Sequence, residues 1–155
     1  MSIMVNRMFL SLFLSMAITG YAVAGEGKMT YEKDVKPVIS QGCLSCHGSN
    51  APTIDEFNKD KEGFNKKMKG PRMDTYENLL IFVNGKDAGA LMRRLDDGKN
   101  TKEGKPGNMN GYLGKTDSER AANLEIMRKW VGGWTLKRRS EMTEDDLKAI
   151  QAPAK

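Results

Sequence analysis

The clearest periodicity in the chain is the stripe Tyr76, Leu79, Leu80 and Val83, apolar positions at i, i+3, i+4 and i+7 that predict one buried helix face. Asp74 or Thr75 stands where an N-cap is needed, Glu77 falls in the first turn, and Gly85 marks the end. A second segment, from Asp87 to about Asp96, turns Leu91, Met92 and Leu95 inward and closes at Gly98. Thr116-Asp117-Ser118-Glu119 reads as a capping box, and the helix after it carries Leu124, Met127, Val131 and Trp134 on one face with Trp130 beside them. Gly132-Gly133 is expected to fray its end. Upstream, Thr30 caps a helix from about Tyr31 to Gln41 with Tyr31, Val35, Val38 and Ile39 on one stripe. Pro37 within it should bend or shorten that helix. Thr143 opens a last short helix with Leu147 and Ile150. Two glycine- and charge-rich stretches, 48–74 and 98–115, read as long loops, the first holding at most one turn of helix. No stretch alternates as a strand would, so the class is all-α.

The amino terminus follows a different rule. Arg7 is the only charge in residues 1–24, Met8 to Ile18 is apolar, and Ala22-Val23-Ala24 offers a small-x-small cleavage site before Gly25. The apolar run is shorter than the roughly 20 residues a spanning helix needs. The pattern predicts a cleaved secretory signal over 1–24, no stable membrane insertion afterwards, and a bacterial periplasmic location. One small domain is expected over 25–134, and a basic C-terminal extension with a short helix over 135–155. The net charge of +5 is mild and comes with no long run of one sign, which favours an acidic protein partner and not nucleic acid. Lys59, Lys61, Lys66, Lys67, Lys69 and Arg72 crowd one loop and are the candidate docking cations.

The chemistry is concentrated in five residues. The chain has two cysteines and one histidine, and all three lie in Cys43-Leu44-Ser45-Cys46-His47. This spacing is the attachment signature of c-type haem, with thioethers from Cys43 and Cys46 and His47 as the proximal iron ligand. A thioredoxin-like pair would sit in a strand-helix-strand pattern, which is missing, and a structural zinc site would need further Cys or His ligands. With no second histidine, a bis-histidine iron built from this chain alone is excluded. The sixth ligand is then methionine, a rarer group, or nothing.

An N-terminal helix leading into that pentapeptide, a glycine-rich loop with Met109, and a closing helix with Trp130 and Trp134 together resemble a class I c-type cytochrome. The resemblance covers about residues 29–134. It implies a small cytochrome c fold, helices wrapped around one covalently attached haem c, first and last helices in contact, and Met109 as the distal ligand. Met73, in a loop after Pro71-Arg72, is the rival; Met92 and Met127 sit at core-facing helical positions. Two features depart from the pattern. The family's glycine at the crossing of the first and last helices has no counterpart in 31–41, and Pro52 stands too near His47 to be assigned as the carbonyl that accepts its ring N–H. The function implied is a one-electron carrier between redox protein partners and not an enzyme, since neither a general base nor a free nucleophile accompanies the haem motif. Two alternatives stand beside it: a haem subunit of a periplasmic oxidoreductase, and a haem-based sensor of small ligands.

Overall fold

The computed structural model describes residues 27–155. The expected leader over 1–24 and the cleavage point before Gly25 lie outside the described residues. Within them the protein is all-α, with a single isolated bridge between Gly132 and Ile150 as its only β pairing.

Thr30 caps the first helical segment, its hydroxyl accepting from Lys33 N–H while its own N–H donates to Asp34. That segment is wound as a π-turn over Tyr31–Val35 and tightens into α1, Lys36–Gly42. The change of pitch falls between Val35 and Lys36, just before Pro37. With the α-helix restarting at Lys36, the proline sits in a first turn, where its missing N–H has no partner to lose. One residue later the chain turns again into α2, Leu44–His47, which is the cysteine-histidine motif itself.

The 48–74 stretch is more ordered than its composition suggests. It holds α3, Ile54–Lys59, with a reciprocal Thr53/Glu56 capping box, and α4, Lys61–Lys66, capped by Asp60. Phe57 and Phe64 join the two, ring centroids 6.2 Å apart. Side-chain capping, and not an apolar stripe, builds these helices, so the periodicity alone left them unmarked.

Next come α5, Tyr76–Val83, capped by Thr75, and α6, Ala90–Leu95. Phe82 is buried in α5 where Leu80 was expected, and Leu91, Met92 and Leu95 are buried in α6 as the pattern indicates. After a loop with one 3-10 turn, Asn110–Leu113, α7 runs over Asp117–Val131 from the Thr116/Glu119 box. Finally α8, Glu144–Ala149, starts from a Thr143/Asp146 box.

The first segment and α7 pack together at aromatic rings. Tyr31 lies 6.4 Å from Trp130 and 5.3 Å from Tyr76, and Trp130 is wholly buried. No glycine serves that crossing; the close backbone approach falls instead at Gly42, where a Cβ would lie 2.3 Å from the Tyr112 carbonyl oxygen. The residues after α7 fold back onto this core. Gln151 N–H donates to Val131, Ala152 N–H to Trp130, Tyr31 N–H to Pro153, and the Trp130 indole also to Pro153. The end of α7 is therefore held, not frayed: Gly133 N–H donates to Ala149 at 2.9 Å.

Candidate haem site

The proximal side is assembled from two backbone segments laid along each other. In α2 the His47 N–H donates to the Cys43 carbonyl, which sets the histidine one turn beyond the first cysteine. Residues 70–73 then run beside the motif, Gly70 N–H donating to Cys46 C=O at 3.0 Å and Met73 N–H to His47 C=O at 2.8 Å. Between these bonds, His47 Nδ1 meets the Pro71 carbonyl at 2.6 Å. A carbonyl can only accept, so Nδ1 carries the proton and the Nε2 lone pair is left for a metal. Gly70 lies flat against the ring, where a Cβ would stand 2.1 Å from Cε1. A proline carbonyl thus does orient the histidine, from 24 residues downstream rather than from Pro52.

His47, Cys43 and Cys46 open onto a cleft of about 1060 Å³, enough for a ligand larger than most drug-sized molecules. Its apolar lining comes from Ile39, Ile54, Phe82, Leu91, Leu95 and Leu113. The two cysteines are not joined in a disulfide, and burial pushes the Cys43 thiol up to about 11, helped by its neighbour Cys46.

Met109 and Met73 both line the cleft, and their backbones are anchored differently. Met73 is tied to His47's own carbonyl, on the proximal side. Met109 N–H donates to Arg94 C=O at 2.9 Å, so its loop is fixed to α6, an element separate from the histidine. Three further methionines among the described residues are placed differently. Met92 is fully buried with its sulfur accepting from Thr135 N–H at 3.2 Å, and Met127 is fully buried in the core; Met68 is 76% exposed at the cleft rim.

One wall carries Arg93, Arg94 and Arg138, against a single lining carboxylate, Asp87, 3.9 Å from Arg93. Burial destabilises the charged form of Arg93, Asp87 partly offsets this, and the Arg138 and Arg94 charges add to the strain. Such a wall suits an anionic group, and the haem macrocycle carries two propionates. Shape, sulfurs, imidazole and guanidiniums together fit haem c. The arginines are 44 or more residues apart in part, and no sequence pattern singled them out. Of the six loop cations expected to face a partner, Lys61 and Lys69 line the cleft. Lys69 is committed to Ser45 C=O and the Asn50 side chain, Arg72 to Ala51 C=O, and Lys66 to Glu62.

Comparison with known proteins agrees with this geometry. The family model for PccH cytochrome c matches residues 30–153. The solved structure of the monohaem cytochrome PccH from Geobacter sulfurreducens matches with a TM-score of 0.77 at 44% identity, over 82% of this chain and 99% of that one. No curated protein matches significantly. The family supports an electron-carrier role and one covalently bound haem c. The chain belongs to the PccH family of monohaem c-type cytochromes.

Proposed function

We propose that this protein is a periplasmic one-electron carrier whose haem is bound through thioethers of Cys43 and Cys46 and ligated by His47 and Met109. The observation that carries the reading is the pairing of His47 Nδ1 with Pro71 C=O, which commits the other ring nitrogen to the cleft. When bound, haem c supplies a one-electron couple at its iron. His47 holds its ring rigidly against Gly70. Met109 presents a soft thioether that the loop shields from water, and two such protein ligands favour electron transfer with little rearrangement. Arg93, Arg94 and Arg138 are placed to neutralise carboxylates at the cleft wall, and the apolar lining excludes solvent.

Periplasmic placement is supported by the leader pattern over 1–24 and by the lack, among the described residues, of any helix long and apolar enough to cross a membrane. An acidic redox protein partner is supported by the net charge of +5 and by the exposed Lys61 at the cleft. In domain terms we assign 25–134 to the haem domain, with 135–155 packed back onto it. Absorption spectra of the reduced protein with and without carbon monoxide test the carrier reading. Unchanged spectra are expected of an iron with both protein ligands in place; ready carbon monoxide binding would point to an open or displaceable sixth site, as in a sensor.

A further inference from the structure

The loop over 98–114 contains one regular turn and carries Met109. Its position comes from α6. A helix leaves its last carbonyls without intrahelical donors, and here the loop supplies them. Met109 N–H donates to Arg94 C=O at 2.9 Å, the Asn110 side-chain amide to Leu95 C=O at 2.8 Å, and Gly107 N–H to Asp96 C=O at 2.8 Å. Three consecutive carbonyls therefore set the register of the backbone on both sides of Met109. Gly107 lies so close that a Cβ would stand 2.3 Å from the Arg94 oxygen.

The residue that supplies the third of those carbonyls is itself anchored through its side chain. Asp96 is wholly buried, the one charged residue so placed among the described residues. Its carboxylate accepts from Gly98 N–H at 2.8 Å, the Asn100 amide at 2.8 Å and the Trp134 indole N–H at 3.2 Å, with the Arg128 guanidinium at 3.5 Å. Gly98 and Asn100 begin the methionine loop; Arg128 and Trp134 sit at the end of α7, with the guanidinium 5.5 Å over the indole ring. Arg128 also reaches the neighbouring Asp97 at 2.9 Å. Burying a carboxylate is costly, and a well-packed apolar residue commonly serves stability as well. What the charge adds is fixed geometry, because four donors from two separate elements converge on it.

We infer that Asp96 is the positioning residue for the sixth ligand: by clamping the end of α6 to the end of α7, it governs how firmly Met109 is held over the cleft. This rests on Met109 being that ligand. The test is titration of the ferric holoprotein with imidazole, which competes with a protein thioether for the iron. Asp96→Asn keeps the shape and removes the charge, Trp134→Phe removes one donor, and Tyr76→Phe removes a distant bond to Ala152 C=O and serves as a structural control. Imidazole should bind roughly tenfold more tightly to Asp96→Asn, equivalent to about 1.4 kcal/mol. A smaller shift in the same direction is expected for Trp134→Phe and none for Tyr76→Phe. Unmoved affinity in both Asp96→Asn and Trp134→Phe, with lowered melting temperatures, overturns the inference and leaves Asp96 a structural residue. If Asp96→Asn gives no folded holoprotein, Trp134→Phe alone decides. Met109→Ala, run in parallel, separates the two ideas. Wild-type affinity already equal to that of Met109→Ala removes the ligand assignment and the inference with it; tighter binding by Met109→Ala beside unmoved Asp96 and Trp134 variants removes the inference alone.

Discussion

The two faces of the cleft are built by opposite means. The proximal face is a five-residue motif in a single turn of helix, braced by backbone bonds from 70–73 and closed by the Pro71 carbonyl on His47. The face proposed as distal is an irregular loop bonded to the carbonyls of α6, with the buried carboxylate of Asp96 accepting from its first residues. A ligand next to its own covalent anchors needs little from the rest of the molecule, whereas a weak thioether ligand is only as secure as the tertiary structure behind it. Disturbing the proximal face should therefore cost the haem site as a whole, and disturbing the distal face should cost one bond.

Gly70→Ala tests the first half with the largest expected effect. Its Cβ would stand 2.1 Å from the His47 ring, and because Pro71 and Met73 fix the flanking backbone there is little room to yield. Overpacking of this kind costs roughly 1–3 kcal/mol, so thermal unfolding of the holoprotein should shift downward together with a disturbed low-spin spectrum. Gly107→Ala tests the second half. Its Cβ would meet the Arg94 and Arg93 carbonyls at 2.3 and 2.4 Å, lifting the methionine loop from α6. The expected result is weakened Met109 ligation with haem attachment and the His47 bond intact, read by absorption and by haem content after denaturing electrophoresis.

Acid should separate the two faces without mutation. Burial pushes the Asp96 carboxyl up, but hydrogen bonds from Asn100, Gly98 and Trp134 outweigh it and hold the group below its usual range, with Arg128 and the neighbouring Asp97 also facing it. A depressed carboxylate contributes stability above its unfolded value of about 3.9 and loses it as pH falls through the folded value. Below about pH 4, the distal bond should therefore fail first in a pH titration followed by absorption, since the residues bracing His47 are Gly70, Pro71 and Met73, none of which titrates. Simultaneous loss of both faces would erase the distinction. The smallest effect concerns partners: electron transfer to an acidic redox protein should slow as salt rises, because exposed charges are screened beyond about 8–10 Å at physiological ionic strength. A flat rate profile in stopped-flow measurements would remove electrostatic docking.

The same division explains what was legible in the sequence. Cys43, Cys46 and His47 are legible as one candidate site because their spacing is local, and the helices opened by Thr30, Thr75, Thr116 and Thr143 because a cap and an apolar stripe coincide. The α3 and α4 pair escaped because Thr53 and Asp60 cap segments with hardly any stripe. Pro71, Asp96 and the Arg93, Arg94 and Arg138 wall escaped for a different reason. Each acts through a partner supplied by another part of the fold: a carbonyl 24 residues from the histidine, an indole 38 residues from the carboxylate, guanidiniums from α6 and from beyond α7. Long-range hydrogen bonding leaves no period in the chain to read.

The ferric near-infrared sulfur-to-iron charge-transfer band reports most directly whether the iron is held between His47 and Met109. Met109→Ala should abolish the band and lower the reduction potential, while Met73→Ala, whose backbone is bound to His47's own carbonyl, should leave both nearly intact. A band that survives Met109→Ala and disappears in Met73→Ala would contradict the account.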